Sequence, residues 1–142
     1  MLRNIDPILS PDLLHALRSM GHGDEIVLVD ANFPAEDLGP KCIRADGSDA
    51  SAMLRAVLAV MPLDSYVDDP ALAMQVVGKP KEIPPTVQDF QSIIDEAADK
   101  PRKIHSLERF AFYDRAASAF AVVQTGERRL YGNLLLKKGV IE

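Results

Sequence analysis

The sequence predicts an α/β fold: a single three-layer α/β/α domain with a mixed sheet of about six strands. Three observations carry that expectation. Short apolar runs alternate with amphipathic helical stretches along the whole chain. Residues 26–29 are apolar and mostly β-branched without a break, the pattern of a strand covered on both faces. Serine, glycine and proline stand between the runs, where helices start and stop. At 142 residues the chain has the usual size of one domain, so residues 1–142 are read as one unit.

Taken in order, Ser10, Pro11 and Asp12 make a helix start: a serine cap, a proline in the first turn and an acid at the positive end of the dipole. Leu13, Leu14, Leu17 and Met20 then share a face, and Gly21 supplies the stop. After the central strand at 26–29, residues 41–45 read as a second strand. Asp46-Gly47 turns into a helix capped by Ser48, striped by Met53, Leu54, Val57, Leu58 and Met61, and ended by Pro62. Beyond the proline-punctuated VDDPAL, residues 74–77 read as a strand and GKPKEIPP as a loop. Thr86 caps a third helix that buries Val87, Phe90, Ile93, Ile94 and Ala97 and runs to about Asp99. Residues 103–105 read as a short strand, and Ser106 caps a helix through Ala117. Residues 120–124 and 134–137 are the last strands. Joined by the loop TGERRLYGN, they are expected to be antiparallel.

Composition narrows the function. The net charge of −5 arises from 16 basic and 21 acidic residues scattered in both signs, without a basic stripe, which argues against nucleic acid. No apolar run approaches the roughly 20 residues of a membrane-spanning helix, so no membrane partner is expected. The first twenty residues carry Asp6, Asp12 and two prolines and do not read as a signal peptide; a cytoplasmic location is the expectation. Cys42 is the lone cysteine, which leaves no disulfide framework, and with only three histidines no metal site is expected.

Three places could carry chemistry. Asp30 ends the most buried-looking strand, and ligands in open α/β sheets bind beyond the carboxyl ends of strands. His22, between Gly21 and Gly23, sits on a loop free to fold back or to reach a neighbouring subunit. Imidazole as a side-chain type titrates at about 6.5 and exchanges protons near neutral pH. Arg109 falls in the first turn of its helix, where a cation is disfavoured by about 0.3–1 kcal/mol, with Tyr113 one turn on. Tyr131-Gly132-Asn133 offers an aromatic face, a hydroxyl, an approachable backbone and an amide, a set suited to a polyhydroxylated ligand. Each also has a plain structural reading: His22 follows a helix stop, Asp30 caps a turn, Arg109 pairs with Glu108 or Asp64, and the tripeptide is a turn. His15 and His105 read as structural.

The segments MGHGDEIVLVDANFP (20–34), IRADG (43–47), PLDSY (62–66), ERFAFYDRA (108–116) and FAVVQTGERRLYGNLLLKKGV (120–140) resemble the L-fucose mutarotase branch of the D-ribose pyranase/fucose mutarotase family. The resemblance covers nearly the whole chain in the same order. It implies an isomerase that interconverts the α and β anomers of L-fucose or a related monosaccharide, with no cofactor. It implies His22 as the catalytic histidine, assisted by Tyr113 and Asp64. Asp30, Arg109, Tyr131, Gly132, Asn133 and Met74 are implied as sugar-binding. The motif RFAFYDRA is similar to the fucose branch and absent from the ribose branch. Asn32 stands where some bacterial members have histidine and receives no role. Family members form rings, often decamers, with sites at subunit interfaces, so a ring-like homo-oligomer is implied. Two alternatives remain beside this one: D-ribose pyranase activity, and a non-catalytic monosaccharide-binding protein.

Overall fold

Every side chain of residues 26–29 is buried, and the sheet is built outward from them. The computed structural model describes residues 1–142. In chain order its elements are α1 (Pro11–Ser19), β1 (Glu25–Val29), β2 (Lys41–Ala45), α2 (Ala50–Leu58) and β3 (Ala71–Met74). There follow α3 (Pro85–Ala97), β4 (His105–Leu107), α4 (Arg109–Ala117), β5 (Ala121–Thr125) and β6 (Leu134–Lys137). The six strands lie in the order β2-β5-β1-β6-β3-β4. β6 is antiparallel to its neighbours β1 and β3, and the other pairs are parallel.

β1 alternates between two cores, as a strand with period two must. Ile26 and Leu28 point to the larger core with Leu13 and Leu17 of α1, Met53 and Leu54 of α2, and Phe90 and Ile94 of α3. Val27 and Val29 point to the smaller core, formed with Phe33, Ala35, and Phe112 and Ala116 of α4. The three-layer expectation therefore holds, with unequal outer layers: α1, α2 and α3 on one side, α4 and the stretch after β1 on the other. Full burial of side chains such as Phe90 or Leu54 contributes about 1.5–3 kcal/mol each. Arg115 fixes the slope of α4 by donating through Nε and Nη2 to the Glu25 carboxylate at the start of β1.

Several boundaries differ from the sequence reading. Asp49, not Ser48, caps α2, its carboxylate accepting from the Ala52 N–H at 2.7 Å. Thr86 lies inside the first turn of α3, and its hydroxyl donates to the Leu130 carbonyl. Ser106 belongs to β4, and α4 is capped by the Glu108 carboxylate, which takes the N–H groups of Phe110 and Ala111. β4 itself starts at His105 instead of residue 103, because the Ile104 N–H is spent on the Gln91 side chain. β3 ends at Met74 rather than beginning there. Pro70 tolerates this by standing just outside the first strand residue.

β5 and β6 do run in opposite directions, yet they are not neighbours. β1 lies between them, with Ile26 opposite Ala121 on one side and Leu136 on the other. The loop TGERRLYGN must therefore cross the carboxyl end of β1, and it does so directly over Asp30. Gly126 opens that crossing, and a Cβ there would stand 2.1 Å from the Asp46 carbonyl oxygen, which is backbone and cannot yield. Gly126→Ala is expected to destabilise the fold by about 1–3 kcal/mol through this overlap, read as a lowered urea midpoint at unchanged slope. An unchanged midpoint would mean that the crossing has slack.

Candidate active site

The crossing places Asp30 under the loop, and every polar atom of Asp30 has a partner. Its N–H donates to Asn133 Oδ1 at 2.9 Å, and its carbonyl accepts from Gln124 Nε2 and from the Phe33 N–H. Its carboxylate accepts from the Asn32 N–H at 3.0 Å and the Gly132 N–H at 3.2 Å. Burial pushes the Asp30 carboxyl up from its ordinary pKa, and these backbone and amide donors oppose the rise without cancelling it.

Around Asp30 opens a cavity of about 240 Å³ lined by Asn32, Phe33, Met74, Val77, Arg109, Tyr113, Leu130, Tyr131 and Asn133. It is smaller than the roughly 300–1,000 Å³ of pockets for drug-sized ligands, which suits a single sugar ring. Arg109, the first residue of α4, makes no ion pair; its guanidinium carbon lies 5.7 Å from the Tyr113 ring centroid and 5.5 Å from that of Phe110. Tyr113 is held at 5.3 Å by the Phe33 ring, which in turn meets Phe112 edge-on. Tyr131 adopts φ 59°, a strained left-handed conformation for a bulky residue, and its hydroxyl accepts from the Val77 N–H at 3.2 Å. Asn133 gives its amide oxygen to the Asp30 N–H, and its side chain is also one of the groups that oppose the rise of the Asp30 carboxyl.

Six of the nine residues picked from the sequence thus meet in one cavity: Asp30, Arg109, Tyr113, Tyr131, Asn133 and Met74. Gly132 is not among the residues that line it. A Cβ there would stand 2.7 Å from the Glu127 side chain and 3.2 Å from Asp30, so the glycine lets the loop close down between them.

His22 and Asp64 are elsewhere. They stand together at the start of β1, with His22 Nε2 3.2 Å from Asp64 Oδ1, whereas Asp30 follows the end of that strand. Five extended residues separate the two ends, on the order of 16 Å. Within one chain, therefore, His22 does not reach the cavity. Its ring is half-exposed and lies 5.4 Å from Tyr66, while the Asp64 side chain is 2% exposed. For Asp64, burial alone would raise the carboxyl. The N–H of Tyr66, the hydrogen bond and charge of His22, and Lys137 outweigh it and hold it below the usual range.

The sequence reading missed Phe33, Val77 and Leu130 as cavity walls. The strand assigned to 74–77 concealed Val77; the proline after Phe33 was the available sign of a turn there. A larger cleft of about 600 Å³ opens between α3 and β4. Its Gln88 and Gln91 are tied to backbone groups and it has no buried carboxylate, so it does not share this chemistry.

Set beside known proteins, residues 3–141 match the RbsD / FucU transport protein family. The chain belongs to that family. Fucose mutarotase of Mus musculus is 51% identical over 99% of this chain and 95% of its own length. The crystal structure of the fucose mutarotase from Streptococcus pneumoniae in complex with L-fucose superposes with a TM-score of 0.92 at 44% identity, covering 99% of this chain and all of that one. Bacillus subtilis RbsD complexed with D-ribose, 22% identical with a TM-score of 0.78 over the full length of both, shares the fold. The RbsD / FucU fold is thus the mixed six-stranded α/β arrangement described above, and the resemblance drawn from the motifs stands.

Because its folded pKa is depressed, Asp64 contributes stability that is present above the unfolded carboxylate range and lost as pH falls through the folded value. The stability difference between the parent and Asp64→Asn is expected to be full at neutral pH and to shrink below about pH 4, measured by denaturation across pH. A difference independent of pH would contradict this ionic role.

Proposed function

We propose that this chain is a mutarotase that interconverts the α and β anomers of L-fucose by acid/base-assisted opening and reclosure of the pyranose ring. The observation that carries the reading is the convergence of a buried carboxylate, a free guanidinium, two phenols and an amide on a cavity the size of one sugar, in a chain half identical to fucose mutarotases. Asp30, Arg109 and Asn133 hold hydroxyls. Met74, Val77, Leu130 and the Tyr131 ring give apolar surface for the methyl of a 6-deoxy sugar.

Opening moves one proton from the anomeric hydroxyl to a base and delivers another to the ring oxygen as the C1–O5 bond breaks. The freed aldehyde turns about C1–C2, and closure on its other face reverses both transfers. Tyr113, at the cavity wall, serves one oxygen. His22, aimed by Asp64, serves the other from a neighbouring copy, so that each pocket is completed across an interface in a ring-like homo-oligomer, a decamer. The separation of the His22–Asp64 pair from the cavity supports that arrangement, as do the exposed side chains beside the two places, Tyr66 at one and Val77, Phe110 and Leu130 at the other. The reading places the reaction in the cytoplasm. No helix is long and apolar enough to cross a membrane.

His22→Ala is expected to slow L-fucose anomer exchange by about 10²–10⁴-fold, seen by saturation-transfer NMR of the anomeric protons, with affinity for the sugar retained. Exchange as fast as the parent's would remove the proton role of His22. Co-assembled His22→Ala and Asp30→Asn chains are expected to regain part of the lost exchange, since some pockets then combine an intact half from each; no recovery would rule out a shared site. Tight binding with no exchange by the parent would instead mark a non-catalytic sugar-binding protein, and faster action on D-ribose a pyranase.

A further inference from the structure

Behind the sugar-holding loop, on the side away from the cavity, lies a charged cluster that the proposed reaction does not use. Glu127 is 3% exposed and does not line the pocket. One carboxylate oxygen accepts from the N–H of Arg129 at 2.9 Å and from its Nε at 3.0 Å. The other accepts from Arg129 Nη2 at 2.9 Å and from the Ala50 N–H at the start of α2 at 3.3 Å. The Arg129 guanidinium continues to Ser51 Oγ at 2.9 Å and to Asp89 of α3 at 3.3 Å. Ser51 and Asp89 are themselves hydrogen-bonded. The backbone of Glu127 is fixed as well: its N–H donates to the Thr125 hydroxyl, and its carbonyl takes the N–H of Ala31, the residue after Asp30.

Desolvating such a pair is expensive, and an apolar pair of equal volume is often as stable. Its position suggests another use. Glu127 Cγ and Asp30 Cβ both crowd the place where a Gly132 Cβ would stand, and Arg129, two places before the strained Tyr131, is tied to Glu127 through its N–H and its side chain. The Gly132 N–H and the Asn133 amide are the groups of this loop that meet Asp30.

We propose that Glu127, clamped by Arg129, is a positioning residue for the sugar pocket: it sets how closely the Gly132 N–H and the Asn133 amide approach Asp30. Through that contact it governs the charge state and the hydroxyl-binding geometry of Asp30 without touching the ligand. The effect on sugar rests on the mutarotase reading; the effect on Asp30 does not. Supporting this, burial raises the Asp30 carboxyl against the opposition of the Gly132 and Asn133 donors, so loosening them leaves burial less opposed. Arg129 meanwhile holds Glu127 itself ionised, its pKa lowered to about 2.

Two variants test the proposal. Glu127→Gln replaces an acceptor oxygen with an NH₂ that faces donors from Arg129 and Ala50. Arg129→Gln, at a partly exposed position, removes the guanidinium and leaves the carboxylate with the two backbone donors; it decides the matter if Glu127→Gln does not fold. The readouts are the pH titration of the Asp30 carboxyl carbon by ¹³C NMR, assigned with Asp30→Asn, and the Kd for L-fucose at neutral pH. The expected result is an Asp30 midpoint moved upward in both variants, more in Glu127→Gln, and a Kd raised about 3–10-fold, the loss of one well-placed hydrogen bond. Asp89→Asn, at the outer end of the cluster, is expected to change neither. An Asp30 midpoint unmoved in the folded variants, with only thermal stability lost, would overturn the proposal and leave Glu127 a structural strut. If the parent does not bind L-fucose while the Asp30 midpoint still moves, the sugar reading falls and the positioning role stands.

Discussion

A buried carboxylate at the end of a central strand has to be satisfied by whatever passes over it. In this protein that requirement organises the end of the sheet where the cavity opens. Asp30 is reached by the chain after β5, which cannot turn back on itself because its antiparallel continuation, β6, pairs on the far side of β1. The crossing segment supplies the Gly132 N–H and the Asn133 amide to Asp30 and leaves Tyr131 strained at the edge. The sheet order, the glycine at 132 and the cavity are three views of one geometric demand.

The same demand explains how the two outer layers divide their work. α2 and α3 cover the larger core, and the Ser51, Asp89 and Ala50 groups near their amino ends brace the crossing segment from behind. α4 covers the smaller core with Phe112 and Ala116, and its first two turns supply Arg109 and Tyr113 in front. The ion pair of Arg115 with Glu25 holds the far end of α4 at the base of the sheet, so that its first turn projects over the cavity. A cation at the unfavourable end of a helix dipole is tolerable there because aromatic faces receive it.

What the sequence made legible were elements in which several local signals coincide. α1 has its cap, stripe and stop within one stretch, and β1 has an unbroken apolar run; both lie within a residue of expectation. β3 was misplaced because Val76 and Val77 favour a strand locally, while pairing with β6 and β4 selects Ala71–Met74. The caps of α2 and α4 were assigned to serines because an acid close by does the same work, and at 106 the serine is already committed to β4. Family-like motifs named nine site residues, and six share a cavity. The separation of His22 from the cavity of its own chain was readable from spacing: it precedes and Asp30 follows the same extended strand. Glu127 was not readable, since its partner Ala50 lies 77 positions away and no local pattern joins them.

The length of β1 carries one more implication. Under the shared-site reading, that strand is a ruler: it keeps each copy's imidazole remote from its own Asp30 and presents it to the next. A subunit is then both a lender and a borrower, and chemistry becomes a property of the assembly. Dilution below the dissociation constant of the ring would switch the activity off without unfolding a single chain, and one misfolded copy would silence two pockets, its own and the one it should have completed.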